Sequence, residues 1–428
     1  MKIKTIKLPY LEVLKRKPKK LKKPVRTLMF WKILIKIISI FDLWAVKFKC
    51  NKINIDKLNK KEPCLILMNH SSFLDMEIAY SVLWNKTFNI VTTTDAFVGK
   101  NWLLRQIGCM PTVKFLNDPL LVRNMISVLK QKRSVLLFPE AGYTLDGTAT
   151  TMPYALAKLV KFLKVPLATI ITNGAHLRQP LFNKLRKRKV RVTCDYKYVL
   201  SKEDIKNMSV DEIWEIIQKE FSFNNYEYQI ENNIIIKEKD RAENLNSILY
   251  KCPHCKTEGM MKGYNNLLEC EHCNIKYELK ENGELQCING ETLFNTIPKW
   301  YKYQREEVKK EVENNQYLLD TDVDVIIMKD TYSLYEVGSG HLIHNMEGFN
   351  LKLDDGSLDY NYSSKTSYSI NSDIYWYQIG DVVCIGDYNI QYYCIPKKKD
   401  VVVKATLAKI PTVSFPTTDN TAFINSPP

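Results

Sequence analysis

Glycine and proline are scarce, 15 and 17 among 428 residues, which excludes collagen-like and Pro/Gly low-complexity chains. Cysteine is dilute as well: eleven residues, an odd number, are too few for a disulfide scaffold in a chain this long. Seven of them (Cys50, Cys64, Cys109, Cys194, Cys287, Cys384 and Cys394) are scattered, mostly among apolar neighbours, as suits thiols in a reducing compartment. The first 27 residues have no apolar core of about 7–15 residues, so no secretory leader is expected and a cytoplasmic chain is. Long uninterrupted apolar runs are missing too. What remains is ordinary globular usage, 45% hydrophobic and 25% charged, which excludes wholesale disorder. The length implies two or three domains.

The formal net charge is +15, from 62 Lys and Arg against 47 Asp and Glu. That excess points to a polyanion, either nucleic acid or an anionic membrane. Its placement separates the two. Residues 1–49 hold 15 basic and 2 acidic side chains, +13 of the total. Directly after the basic arm, residues 28–46 are rich in Ile, Phe and Trp but are interrupted by Lys32, Lys36 and Asp42. On a helical wheel Lys32, Lys36, Ser39 and Lys47 share one face with Leu43, and Phe30, Leu34, Ile37, Phe41 and Trp44 lie broadly opposite. The pattern predicts a helix lying at a membrane interface rather than spanning it, with the arm drawn to anionic lipid. The plainer alternative is an amphipathic helix docked on the protein body. The expected location is peripheral, on the cytoplasmic face of the cell membrane.

Chemistry enters with two buried strands. Residues 64–68 (Cys-Leu-Ile-Leu-Met) read as a strand, followed by a turn, Asn69-His70-Ser71-Ser72-Phe73-Leu74-Asp75, and then a helix to Trp84. A His at the carboxyl end of a buried strand stands where α/β sheets place their reactive groups. Its proton exchanges near neutrality, and a nearby carboxylate can hold its tautomer. Residues 134–138 form a second such strand, ending in Pro139-Glu140-Ala141-Gly142-Tyr143-Thr144.

Asn-His-x-x-x-x-Asp, followed about 65 residues later by Phe-Pro-Glu, resembles the glycerophospholipid acyltransferase family, of which the 1-acylglycerol-3-phosphate O-acyltransferases are the best-known branch. Two weaker blocks match in order, Gly108-Cys109-Met110-Pro111-Thr112-Val113-Lys114 and Val165-Pro166-Leu167-Ala168, so the likeness covers residues 63–180. It implies an α/β core, an acyl-CoA or acyl-carrier-protein donor and a lysophospholipid acceptor. It also implies His70 as general base oriented by Asp75, with Asn69, Lys114, Pro139, Glu140, Gly142, Tyr143 and Thr144 around the substrates. Backbone amides near 141–142, or in the turn after His70, are the candidate oxyanion donors. The chain departs from the family where Lys114 stands for a usual Arg, and where Tyr143 stands for the Arg associated with the acceptor's phosphate. Either Lys114 alone holds that phosphate or the acceptor is not a simple phosphomonoester. An ordinary solvated Lys114 stays open as well.

Beyond the core, residues 222–247 read as a polar linker with some helix. Cys252 and Cys255, then fourteen residues, then Cys270 and Cys273 form two knuckles that predict a four-thiolate structural zinc site in a ribbon at 248–285. The interval between the knuckles has only Lys256 and Lys262 as basic residues, offset by Glu258 and Glu269, so nucleic acid is not the expected partner. Residues 286–410 read as a helix followed by short β runs, an all-β module in which His341 and His344 are surface residues, and 411–428 as a disordered tail. The expected whole is α/β: arm and helix (1–48), acyltransferase domain (49–221), linker, ribbon and β module. A competing function is a decayed core presenting the ribbon to nucleic acid or protein.

Overall fold

The computed structural model describes residues 3–19, 22–114, 116, 118–364, 370–398 and 401–408. The expected tail at 411–428 lies outside the described residues. The centre of the amino-terminal half is a seven-stranded sheet. From one edge its strands are Lys49–Ile53, Thr193–Leu200, Leu167–Asn173, Leu65–Met68, Ser134–Leu137, Phe88–Thr93 and Cys109–Thr112. All neighbours run parallel except Leu167–Asn173 with Thr193–Leu200. Leu65–Met68 is central and buried along its whole length, which is why it reads as a continuous apolar run rather than an alternating one. It pairs with Ser134–Leu137 in the register Leu65 to Val135 and Leu67 to Leu137. Two strands aligned in this way end together, so the turns that follow them face each other.

The helix Met29–Ala45 packs against the helix Leu74–Val82 with its polar face inward. Lys32 is buried, and its ammonium donates to the carbonyls of Trp84 (2.9 Å) and Lys86 (2.8 Å) beyond the end of the second helix. Those carbonyls are acceptors left over where a helix stops, so a cation is favourable there. Burial nonetheless pulls the Lys32 pKa down, and Arg26 adds to this. The apolar face points outward, with Phe41 73% and Trp44 81% exposed. Among the described residues no helix is long and apolar enough to cross a membrane.

The basic arm is not a free appendage. Thr5–Lys7 pairs in parallel with Ser333–Asn345 of the carboxyl-terminal sheet, and Tyr10 and Val13 join the core beside it. The expected linker is likewise packed: Asn225–Glu231 is helical, and Ile234, Ile236, Ala242 and Leu245 are buried. Apolar residues spaced among the Asn and Lys of that stretch supply the burial. A four-stranded antiparallel sheet follows, ordered Leu285–Cys287, Lys276–Leu279, Leu267–Cys270 and Met261–Tyr264. The helix Ile297–Glu313 fastens it through Trp300, whose indole donates to the Lys251 carbonyl at 2.9 Å, and through Gln304, bonded to the backbone of Ile248 and Lys251. The carboxyl-terminal module is an eight-stranded sheet that counts Thr5–Lys7 among its strands. His341 is half-buried at the surface between Asp320 and Asp322, whereas His344 is buried and stacks on Phe349 at 3.7 Å. The surface assignment therefore holds for His341 alone.

His176 is fully buried, and burial, with Arg188 beside it, depresses its pKa to about 3. The folded protein keeps it neutral, while the unfolded chain takes up a proton near 6.5. Stability from this residue is present above 6.5 and is lost as the pH falls towards 3. Urea unfolding of His176→Phe between pH 7 and 4 should show a shallower loss of stability than the parent protein. Equal slopes would contradict the buried neutral imidazole.

Candidate active site

The two turns meet at the carboxyl edge of the central sheet. His70 Nδ1 lies 2.9 Å from Asp75 Oδ2. The same oxygen accepts the backbone amides of Ser71 (2.7 Å) and Ser72 (3.0 Å). Asp75 stands in the first turn of Leu74–Val82, where a helix amino terminus favours negative charge. Its side chain is 1% exposed and that of His70 is 24% exposed, so the carboxylate is fixed and the imidazole reaches solvent. Nδ1 bonded to a carboxylate leaves Nε2 as the nitrogen available to a reactant.

The imidazole is also held between two rings. Phe138 lies 4.2 Å away at 31° and Tyr143 lies 4.1 Å away at 30°, centroid to centroid. Packing between the two rings fixes the plane of the imidazole. Tyr143 thus stands where the family usually has Arg and acts as a stacking partner. Burial drives its hydroxyl pKa up, so it stays neutral.

Glu140 is a positioning group. One oxygen accepts the His70 amide at 3.0 Å, and the other accepts the Thr150 amide and hydroxyl at 2.9 and 3.0 Å. Burial pushes its carboxyl up to about 7, against these hydrogen bonds, which hold it down. Asn69 and Thr144 are committed in the same way. The Asn69 amide is clasped to Thr172, donating to its carbonyl (3.0 Å) and accepting its amide (2.8 Å) and hydroxyl (3.0 Å). The Thr144 amide donates to the His70 carbonyl at 2.9 Å, and its hydroxyl donates to the Thr148 carbonyl at 2.6 Å. Both expected substrate contacts are fully buried with protein partners: Asn69 ties its turn to the neighbouring strand Leu167–Asn173, and Thr144 ties its loop to the His70 turn. Pro139 is buried, whereas Gly142 has open space where a side chain would begin. Ala141 reaches left-handed backbone at φ 56°, which turns the chain sharply there.

Lys114 is neither a free phosphate grip nor a solvated surface charge. Its ammonium lies 2.6 Å from Asp373 of the carboxyl-terminal strand Asn371–Trp376, with the two side chains 10% and 18% exposed. Asp95 is nearby, accepting the Trp376 indole N–H at 2.8 Å. Burial alone would lower the Lys114 pKa, but Asp373 and Asp95 outweigh it and raise it. Asp373 is pushed up by burial and held down by Lys114, and it also interacts with His70. The strand pairing shifts between Asp373 and Trp376, a bulge of the kind that re-aims side chains beside active sites. A residue 259 positions from Lys114 therefore completes this site, and no local motif could have signalled it.

The four knuckle cysteines also come together. Their sulfurs lie within 4.8 Å of one another, with Cys252 to Cys273 and Cys255 to Cys270 each at 3.7 Å. A tetrahedral ion with metal–sulfur bonds of about 2.3 Å sets its sulfurs about 3.8 Å apart, so the set fits such an ion. His254 is engaged elsewhere, 3.0 Å from the Tyr277 hydroxyl.

An α/β sheet carrying a His–Asp pair on the turn after its central strand defines a class of site built for proton transfer. Residues 49–172 match the family model described as Acyltransferase, and that segment includes His70, Asp75, Lys114 and Glu140. That segment is therefore similar to the acyltransferase family. Among solved structures, the crystal structure of the 1-acyl-sn-glycerophosphate (LPA) acyltransferase PlsC from Thermotoga maritima is similar at 15% identity. It aligns over 44% of this chain and 78% of its own, with a TM-score of 0.36. No curated protein matches.

Protein purified without chelators should carry about one metal ion per chain, and Cys270→Ser should lose it and unfold at lower temperature. Elemental analysis finding no metal in the parent protein would contradict the cluster's assignment.

Proposed function

We propose that the protein is a membrane-associated O-acyltransferase. It moves a fatty acyl group from acyl-CoA or acyl-carrier protein to a glycerol hydroxyl of a lysophospholipid such as 1-acylglycerol-3-phosphate. The observation that carries this is the His70–Asp75 pair at 2.9 Å, inside the segment that matches the acyltransferase family. His70 Nε2 removes the hydroxyl proton as the oxygen attacks the thioester carbonyl. The C–O bond forms, a tetrahedral oxyanion develops, and collapse breaks the C–S bond. The imidazolium then returns the proton to the leaving thiolate, so atoms and charge balance. Asp75 holds the tautomer and stabilises the imidazolium. The oxyanion needs a donor. The amides of His70, Ser71, Ser72 and Ala141 already have partners, which supports Gly142 for that role.

The ion in the cysteine cluster is taken to be zinc, closed by four protein ligands and so structural. It stands apart from the reaction, holding a ribbon too small to fold on its own core. The outward apolar face of Met29–Ala45 supports a peripheral stand on an anionic membrane, with exposed lysines of the arm adding electrostatic attraction. Trp102 extends this face through its contact with Trp31 at 5.7 Å. Phe73, also exposed, lies 6.0 Å from Tyr143 and adds an apolar side chain beside the His70 site.

His70→Ala and Asp75→Asn should each lower acceptor-dependent release of free CoA by about 10²–10⁴-fold with the fold retained. Release that survives His70→Ala would overturn the mechanism. Because the arm is built into the sheet, the membrane contact is best tested by point changes. Phe41→Glu with Trp44→Glu should abolish sedimentation with anionic vesicles, and binding by the parent protein should weaken with salt. Undiminished binding by the double variant would refute the surface.

A further inference from the structure

The two lysines next to the His70–Asp75 pair already have carboxylate partners. Lys114 pairs with Asp373 at 2.6 Å, and Lys100, over the Tyr377 ring at 5.2 Å, has Asp95 as its electrostatic counterpart. Asp95 in turn acts on Lys114 as well. Two cations therefore face two carboxylates, and Tyr143 adds a neutral ring where a further cation would have been useful to an anion. The hairpin that supplies Asp373 is anchored, not draped. Trp376 bonds Asp95 and stacks on Tyr393 at 4.4 Å, and Val98 of the acyltransferase domain shares a buried cluster with Trp376, Val382 and Cys384.

A phosphomonoester beside its reacting hydroxyl would bring up to two negative charges into this partly desolvated space. Lys114 could grip it only by releasing Asp373, leaving a carboxylate and the new anion against one ammonium. Breaking a half-buried ion pair leaves an uncompensated charge, and like charges that close repel. A hydroxyl lipid whose head has no net charge meets neither penalty and can still hydrogen-bond to the paired groups.

We propose that Asp373, reaching in from the carboxyl-terminal sheet, sets the acceptor class of the acyl-transfer site: a glycerol-type hydroxyl lipid with a head group of no net charge, not a phosphomonoester. The inference rests on the acyl-transfer reading and narrows it, setting 1-acylglycerol-3-phosphate aside as the preferred acceptor. It also gives the β module a place in the reaction, as the source of a specificity-determining carboxylate.

The test uses the purified full chain with labelled acyl-CoA, and in parallel acyl-carrier protein, as donors. The acceptors are monoacylglycerol, lysophosphatidylcholine and 1-acylglycerol-3-phosphate in the same mixed micelles. The first two share a head of no net charge, and the two arms separate an uncharged source from a zwitterionic one. At least one of them should exceed the phosphomonoester by about tenfold or more in kcat/KM, the size of one interaction with a charged group. Asp373→Asn frees Lys114 and should improve the phosphomonoester by about tenfold, chiefly through KM. The double variant Lys114→Gln with Asp373→Asn should cancel that gain. A parent protein that favours 1-acylglycerol-3-phosphate overturns the inference, whether or not the variants fold. His70-dependent transfer to that acceptor would leave the acyltransferase reading standing, whereas no His70-dependent transfer to any acceptor would overturn both.

Discussion

The parallel pairing of Leu65–Met68 with Ser134–Leu137 is the constraint on which the site depends. Because the strands run together and stop together, the turn bearing His70 and the turn bearing Glu140 and Tyr143 meet at one edge. Glu140 then ties the turns by accepting the His70 amide, and Thr144 returns a hydrogen bond to the His70 carbonyl. The imidazole is fixed from four directions: Asp75 at Nδ1, Phe138 and Tyr143 on its faces, and Glu140 and Thr144 at its backbone. Preorganisation of this kind lets a general base act without first being ordered.

The remaining parts of the chain close around that edge. The arm, the β module and the seven-stranded α/β domain are joined by Thr5–Lys7 in the far sheet and by the Lys114–Asp373 and Asp95–Trp376 contacts. The ribbon is fastened by Trp300 and Gln304, and Lys404 bridges Glu258 of the ribbon and Glu311 of the long helix at 2.8 and 2.9 Å. The β module is therefore part of the site's wall. The helix Met29–Ala45 leaves its apolar face outside because its polar face has a buried task, Lys32 on the carbonyls of Trp84 and Lys86.

What the sequence revealed follows how local the information was. His70 and Asp75 are five positions apart on one strand–turn–helix, so their pairing was readable, as were the two strands and both cysteine knuckles. The helical wheel of residues 28–46 separated two faces correctly, but which one turns inward depends on Trp84 and Lys86, which only the tertiary fold brings near. Asn69 and Thr144 carry side chains that suit either substrate or structure, and their protein partners Thr172 and Thr148 come from tertiary neighbours and a later turn that the motif does not name. The partner of Lys114 was out of reach because it comes from another domain, on a bulged strand whose own sequence has no catalytic pattern.

The central claim is that His70, oriented by Asp75, drives acyl transfer to a lipid hydroxyl. The most direct measurement is mass spectrometry of the lipid product formed from an isotopically labelled acyl thioester by the parent protein and by His70→Ala. The account predicts a new labelled ester on the acceptor's glycerol hydroxyl with the parent protein and none above background with the variant. Equal labelled product from both, or label recovered from the parent protein only as free fatty acid, would contradict it.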